Sequence, residues 1–212
     1  MPRALIVCDV DEVVIDFVAG FDAYLAPRGL MLDRSRFALS GNIRDLRTGE
    51  PVTDHAGREL ISNYQRDAVH RTPAVTNAVA SINRLAESAE IRFLTNALPG
   101  QEASRRAHLA DLGLPYPVRF NAGEKGAAVR SMAMEHRAAH AGAPVVFVDD
   151  SPRHLASVAG HVSDAILVQF IADDAFRALV RPADHVALLS GDWTETAAFI
   201  EQAATRTMEQ GQ

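Results

Sequence analysis

Two aspartates one residue apart, Asp9 and Asp11, directly follow an apolar run at residues 4–8 of the sequence. A short apolar run rich in β-branched residues predicts an interior strand of a parallel sheet that is covered on both faces. In such sheets, ligands bind at the carboxyl ends of the strands. Because unpaired charges beside a core are costly, the two acids predict a metal ion or another charged partner there. Taken alone, they also fit a polar strand end that caps the next turn.

Three more polar clusters stand at predicted strand ends or helix starts. Thr95 and Asn96 end a second apolar run, Lys125 precedes a helical pattern, and Asp149 and Asp150 end a later run. Singly, each has a structural explanation as a turn residue, a solvated lysine or a helix cap. Together they offer a carboxylate nucleophile, further acids, a hydroxyl donor and a cation. Such a set predicts Mg²⁺ held by a few carboxylates and a substrate phosphate.

The elements that must position these residues alternate along the chain. The predicted strands after the first are IRFLT at 91–95, VVFVDD at 145–150, AILVQFI at 165–171 and HVALLS at 185–190. Amphipathic, alanine-rich stretches between them predict helices, two of which end at Gly113 and Gly142. Alternation of strands and helices predicts an α/β fold with a mostly parallel sheet and right-handed crossovers.

The segment at 17–72 breaks this rhythm. It contains no comparable strand, it has two helical patterns, FVAGFDAYLAP and AGRELISNYQRDAVH, and its middle is polar and rich in turn residues. Far more chain separates Asp11 from Thr95 than one crossover helix needs. We therefore predict a small helical insertion after the first strand, in a chain whose core comprises residues 1–16 and 73–212.

In order and spacing, these motifs resemble the haloacid dehalogenase (HAD) superfamily. The resemblance covers essentially the whole chain and consists of a DxDx[T/V] motif at residues 9–13, an apolar strand that ends in Thr95, Lys125 ahead of a helix, and the acid pair Asp149 and Asp150. It implies a Rossmann-like, three-layer core, an aspartyl-phosphate mechanism and Mg²⁺. It also implies that the insertion is a mobile, mainly helical cap of type C1 that closes over the site.

The resemblance also implies roles for individual residues. Asp9 would be the nucleophile and Asp11 the general acid and base. Thr95, Asn96 and Lys125 would hold the phosphoryl group. Mg²⁺ would bind the Asp9 carboxylate, the Asp11 main-chain carbonyl and Asp150, with Asp149 behind through water. Because alternate residues of an extended strand point to the same side, Asp9 and Asp11 are expected to flank one phosphoryl group.

Substrate specificity is expected to depend on the insertion. Asn42, Arg44 and Arg47 are candidates for facing the substrate, although a solvated surface is the simpler explanation for them. Glu12 stands where many phosphatases of the superfamily have glycine, so the turn after Asp11 is expected to differ and the site entrance to carry an extra acid. His136 and His140, at i and i+4, are expected to form a solvated helix face and not a zinc site.

The leading hypothesis is a Mg²⁺-dependent phosphatase that acts on a small phosphorylated metabolite. A phosphomutase, a phosphonatase, a dehalogenase and a non-catalytic binding or regulatory protein of the same fold stay open as alternatives. A signalling receiver domain is disfavoured, because its phosphorylated aspartate lies on a middle strand and it lacks a long insertion after the first strand.

Bulk composition narrows the partners and the location of the protein. The chain has 212 residues, of which 48% are hydrophobic, a formal net charge of −6 and a single cysteine, Cys8. Interspersed acids and bases provide no basic patch for duplex nucleic acid and no polybasic anchor for a membrane. One cysteine excludes a disulfide within the chain. The apolar run at the amino end is too short for a signal peptide or a transmembrane helix, so a cytoplasmic location is expected.

Overall fold

The computed structural model describes residues 3–210 of the chain. In chain order, its strands are β1 Ala4–Cys8, β2 Leu30–Leu32, β3 Ile43–Asp45, β4 Ala89–Thr95, β5 Val118–Phe120, β6 Val145–Asp149, β7 Ile166–Phe170 and β8 Leu188–Ser190. Its α-helices are α1 Phe17–Leu25, α2 Asp54–Asp67, α3 Ala78–Ala86, α4 Glu102–Asp111, α5 Gly126–Ala139, α6 Pro152–His161, α7 Asp174–Leu179 and α8 Trp193–Gln210. Short 3₁₀ helices follow α1 and α2.

The main sheet has six strands in the order β5-β4-β1-β6-β7-β8, and every neighbouring pair is parallel. Strands β1 and β6 lie at its centre, and all their residues are buried. This arrangement confirms the predicted α/β class with a mostly parallel sheet. It also brings the carboxyl ends of β1, β4 and β6 to one edge, because parallel strands end on the same side.

Helices cover both faces of the sheet. Leu5 and Val7 of β1 belong to a core cluster with residues of α5 and α6, whereas Ile6 and Cys8 belong to a second cluster that includes residues of α3 and α8. Successive side chains of a strand point to opposite faces, so a fully apolar strand requires cover on both sides. The three-layer core predicted for the chain is therefore present.

The segment at 17–72 contains the two predicted helices and one element that we did not predict. Helix α1 begins after Asp16, whose carboxylate caps the Ala19 N–H, and α2 begins after Thr53, whose hydroxyl caps the Ala56 N–H. Between the helices, β2 and β3 form an antiparallel pair. The sequence patterns did not indicate this pair, whose strands are three residues long and lie outside the main sheet. The core and insertion boundaries at 16/17 and 72/73 stay a prediction.

The other predicted elements match the structure with small shifts at their ends. Helix α4 ends two residues before Gly113, which adopts the left-handed conformation (φ 83°) that terminates many helices. Strand β5 is one element that the sequence patterns missed. Within residues 3–210, no helix is both long enough and apolar enough to cross a membrane.

Candidate active site at the carboxyl edge of the sheet

The two aspartates lie in a turn that follows β1. The strand ends at Cys8, and the Val14 and Ile15 N–H groups both donate to the Val10 carbonyl, at 2.9 and 3.0 Å. Strand alternation therefore does not place the two carboxylates on one side, as we predicted, because neither aspartate belongs to the strand. The turn brings Asp9 and Asp11 to the lining of one cavity instead.

Lys125 is the cation at the centre of the site. It is the only lysine in the sequence, directly precedes α5 and is completely buried. Its Nζ lies 2.7 Å from Asp9 Oδ1 and 2.8 Å from Asp149 Oδ2. Burial alone would lower the pKa of Lys125, but the two carboxylates outweigh this effect and raise it above its ordinary value. The lysine therefore stays charged and joins the ends of β1 and β6.

The two carboxylates that share Lys125 differ in their surroundings. Burial raises the pKa of Asp9 to about 6, although Lys125 opposes the shift. Burial would also raise the pKa of Asp149, but Lys125 and His154 outweigh it, so the pKa is lowered. Asp149 Oδ1 accepts from the Ser151 N–H at 2.9 Å and lies 3.1 Å from His154 Nδ1. With Lys125 on Oδ2, both oxygens of Asp149 are engaged.

Asp150 has a carboxylate that faces the same cavity as Asp9. Its main-chain carbonyl accepts from Gln169 Nε2 at 3.0 Å. Within the described residues, no group donates a hydrogen bond to its side chain. Burial, followed by the charges of Asp149 and Asp9, raises the pKa of Asp150 well above its ordinary value. Lys125 opposes this shift but, among the described residues, forms no ion pair with Asp150, so a cation in the cavity would supply a direct counter-ion.

A geometric alternative for a metal ion combines Asp9, Asp149 and His154, whose ligand atoms lie within 4.8 Å of one another. Asp149 is already bound by Lys125 and a main-chain N–H, and His154 contacts Asp149 itself. A metal at this place would have to displace these contacts. The carboxylates of Asp9 and Asp150 fit a hard cation better, because Asp150 has no competing hydrogen bond.

Asp11 contacts an arginine that the sequence patterns did not single out. Arg105 of α4 is 4% exposed, its Nη1 lies 2.8 Å from Asp11 Oδ1, and its Nη2 donates to Oδ2 at 3.2 Å. One hydrogen bond and a second close charge contact with the planar guanidinium restrict the orientation of the carboxylate. Arg105 therefore sets the direction in which Asp11 points.

Thr95 and Asn96, at the end of β4, have different surroundings. The Thr95 side chain is fully buried, and its Oγ1 has no hydrogen-bond partner among the described residues. The Asn96 amide donates to the Gly123 carbonyl and accepts from Asn121 Nδ2, both at 2.9 Å. Thr95 therefore has a free hydroxyl, whereas Asn96 ties the end of β4 to the loop before Lys125.

Glu12 adopts φ 63°, a left-handed conformation that costs a non-glycine residue roughly 1 kcal/mol or more. Its carboxylate accepts from the main-chain N–H groups of Val18 and Asp173, each at 2.9 Å. Burial raises the pKa of Glu12 to about 7. The extra acid expected at the entrance does line the cavity, and it also ties the start of α1 to the loop before α7.

The cavity beside these groups has a volume of about 300 Å³. Its polar lining residues are mainly the carboxylates already described, and its remaining wall is largely apolar. The lining residues other than the acids are Phe17, Val18, Phe37, Ala38, Leu39, Gln65 and Phe176. Most of them belong to the segment at 17–72, which therefore closes one side of the cavity.

The three polar residues that we expected to face the substrate do not line this cavity. Asn42 is buried, and its amide donates to two carbonyls of its own loop at 2.8 and 2.7 Å. Arg44 Nε forms an ion pair with Asp33 at 2.7 Å, and Arg47 is exposed. These side chains stabilise or flank the β2–β3 pair and do not face the cavity.

His136 also differs from its expected place on a solvated helix face. The residue is 2% exposed, and its ring nitrogens lie 2.9 Å from Glu90 Oε2 and 2.6 Å from the Arg3 carbonyl. The ligand atoms of Glu90, His136 and His140 lie within 4.8 Å of one another. Both ring nitrogens of His136 face acceptors, and Glu90 also pairs with Arg92. Hydrogen bonds and ion pairs therefore explain why these three residues lie together, without a metal ion.

Solved structures of haloacid dehalogenase-like hydrolases have the same fold. The hydrolase YfnB from Bacillus subtilis, solved bound to magnesium, is 12% identical with a TM-score of 0.61, over 94% of this chain and 99% of that one. A haloacid dehalogenase-like family protein from Streptococcus pneumoniae is 10% identical with a TM-score of 0.60, over 93% and 98% of the two chains.

A protein from Haemophilus somnus described as a predicted phosphoglycolate phosphatase has a TM-score of 0.54 and 13% identity, over 93% of this chain and 98% of its own. No protein-family model matches this chain, and no curated protein matches it. At identities this low, the structural likeness establishes the fold. The Rossmann-like haloacid dehalogenase fold implied by the motifs is therefore confirmed.

Proposed function

We propose that this chain is a Mg²⁺-dependent phosphatase of the haloacid dehalogenase type, which hydrolyses a small phosphorylated metabolite through an aspartyl-phosphate on Asp9. The observation that carries the proposal is that Asp9 and Asp150 line one cavity while Asp9 also contacts the buried Lys125. The buried Thr95 hydroxyl, at the end of the neighbouring strand β4, has no partner among the described residues. The fold shared with a magnesium-bound hydrolase and with a protein described as a phosphatase supports the proposal.

The residues at the cavity fit a magnesium ion. Asp9 and Asp150 offer carboxylate oxygens, and burial has raised the pKa of both, so a cation relieves an unfavourable concentration of negative charge. By the resemblance, the Asp11 main-chain carbonyl would be a further ligand. When bound, Mg²⁺ would neutralise charge on the transferring phosphoryl group. Asp149 is assigned to holding Lys125, because both its oxygens are engaged.

Each protein group then has one task in the reaction. A carboxylate oxygen of Asp9 forms a bond to phosphorus while the ester P–O bond breaks, and the departing oxygen takes a proton from the carboxylic acid of Asp11. Water next attacks the phosphorus, gives its proton to Asp11 and releases inorganic phosphate, which restores Asp9. Lys125 and the Thr95 hydroxyl stabilise the phosphoryl oxygens, and Arg105 keeps Asp11 oriented through both steps.

Phosphate release from 4-nitrophenyl phosphate tests the proposal. The wild-type protein should require Mg²⁺, and Asp9→Asn should lower kcat by roughly 10³-fold or more, because the nucleophile is lost. Asp111→Asn, at an exposed position of α4, is the matched control and should keep full activity. Turnover that survives chelation, or an Asp9→Asn variant as active as the control, would contradict the proposal.

A further inference from the structure

We infer that the phosphorylated group is a small, uncharged and largely apolar alcohol or phenol, and this inference rests on the proposed phosphatase function. Apart from the acids and Gln65, the wall of the cavity is formed by apolar side chains of the segment at 17–72 and of α7. Phe17, Val18 and Phe176 are almost fully buried, and Phe37 and Leu39 are partly buried. An apolar leaving group gains contact with this wall by displacing water.

The charges around the cavity disfavour a second anionic group on the substrate. Asp9, Asp11, Glu12 and Asp150 line it, whereas no lysine, arginine or histidine does so among the described residues. A substrate carboxylate or second phosphate would therefore meet acids without a counter-ion.

Three cations outside the lining contact lining residues, and each already has an acidic partner. Arg105 contacts Asp11. Arg34 forms ion pairs with Asp22 and, at 2.7 Å, with Asp173. Lys125 is held between two carboxylates, so none of these three cations is free to pair with a second anionic group on the substrate.

The wall also offers few hydrogen bonds to a hydroxyl-rich leaving group. Gln65 of α2 is the only uncharged polar side chain among the lining residues. One amide can pair with one or two hydroxyl groups, whereas a sugar would leave several without partners. The lining therefore favours an alkyl or aryl ester over a sugar phosphate or a nucleotide.

The apolar wall is braced against the core. The rings of Phe37 and Phe176 meet edge to face with centroids 5.7 Å apart, and the Arg34 guanidinium lies 5.8 Å from the Phe176 centroid. Through Asp22 and Asp173, Arg34 ties α1 to the loop before α7. A braced cavity of about 300 Å³, at the small end of ligand sites, restricts the leaving group to a short chain or a single ring.

Matched pairs of esters test the inference. Phenyl phosphate is compared with 4-carboxyphenyl phosphate. Pentyl phosphate is compared with 5-hydroxypentanoate phosphorylated on its hydroxyl group, so that one member of each pair carries a carboxylate. We expect kcat/KM to be higher for the uncharged member of each pair by roughly tenfold or more. The carboxyphenyl ester has the better leaving group, so slower turnover of that ester reports recognition and not intrinsic reactivity.

A substitution in the wall should change this preference. Leu39→Arg places a cation in the lining and should move the kcat/KM ratio toward the carboxylated esters by roughly tenfold or more. Leu46→Arg is the matched control, because Leu46 is 56% exposed and does not line the cavity, and it should leave the ratio unchanged.

The outcomes separate the inference from the function on which it rests. If the carboxylated esters react as fast as the uncharged ones, or faster, the inference is overturned and the phosphatase function stands. If a folded protein with Mg²⁺ hydrolyses none of these esters and no 4-nitrophenyl phosphate, the proposed function fails. Titration calorimetry with phenylphosphonate and 4-carboxyphenylphosphonate then still tests whether the cavity prefers an uncharged ligand. Equal or tighter binding of the carboxylated compound would overturn that preference.

Discussion

Replacing Lys125 with methionine tests how the centre of the site is held together. The side chain is fully buried, and its ammonium group is the counter-ion of both Asp9 and Asp149. Removing one partner of a buried ion pair costs about 3–5 kcal/mol, because the other charge stays buried without compensation. Here one substitution leaves two such carboxylates, so we expect Lys125→Met to lower the free energy of unfolding by about 3–5 kcal/mol at pH 7.

The pH dependence of this loss has a defined sign. Without Lys125, the folded-state pKa of Asp9 rises further above that of the unfolded chain, and the pKa of Asp149 rises as well because its largest lowering influence is lost. A carboxyl group with a raised folded-state pKa destabilises the fold above that pKa, and the penalty disappears as the pH falls through the raised value and the group becomes neutral. The deficit of the variant should therefore be smaller at pH 5 than at pH 7.5.

Urea unfolding followed by circular dichroism measures both effects. Arg119→Met is the control, because Arg119 is 43% exposed and pairs with Glu135 on the surface, a contact worth about 1 kcal/mol or less. Adding Asp149→Asn to Lys125→Met removes one uncompensated charge. The double variant should therefore lose less free energy of unfolding than the two single variants lose together. A loss no larger than that of Arg119→Met, or strictly additive losses, would refute the reasoning.

Three further perturbations follow from the structure. Asp150→Asn should abolish Mg²⁺-dependent phosphate release and weaken Mg²⁺ binding in calorimetry, whereas the exposed Asp111→Asn should change neither. Burial lowers the pKa of His108 below its ordinary value of 6.5, so the unfolded chain binds the proton more readily and the free energy of unfolding falls as the pH drops below 6.5. His108→Gln should weaken this dependence on pH in urea titrations, whereas the control His55→Gln, at an exposed position, should leave it unchanged. Arg34→Met should speed hydrogen exchange in residues 33–39, because it releases the ties to α1 and to the loop before α7; exchange at the wild-type rate would contradict that role.

Local sequence patterns were sufficient for much of the sheet. The apolar run at 4–8 matches β1 residue for residue, because a strand buried on both faces needs an uninterrupted apolar sequence. Strands β2, β3 and β5 are three residues long and were missed. Periodicity is not detectable at that length, so partners distant in the sequence decide whether such a segment forms a strand. Strand β8 is equally short but lies in a longer apolar run, which made it predictable.

The sequence indicated which polar residues would gather at the sheet edge, but not all of their contacts. Lys125, Asp149 and Asp9 do meet, as parallel strands with a common edge require. Arg105 could not be distinguished from its neighbour Arg106 without knowing which face of α4 turns toward Asp11. The orientation of the insertion likewise depends on long-range contacts such as that of Phe37 with Phe176, so its cavity-lining residues could not be read from the sequence.

The most direct test of the central claim is to find the phosphoryl group on Asp9. Asp11→Asn should still form the acyl phosphate from a substrate with a good leaving group and then hydrolyse it slowly, because the base is missing. The reaction is quenched rapidly, reduced with borohydride and digested with trypsin, which cleaves after Arg3 and Arg28. Reduction should convert phosphorylated Asp9 to homoserine. Because the peptide also contains residue 11, fragment masses are needed to locate the homoserine at position 9. Modification at position 9 that depends on both substrate and Mg²⁺, and is lost in Asp9→Asn, is the predicted result. Modification at another residue, or turnover with none at all, would contradict the account.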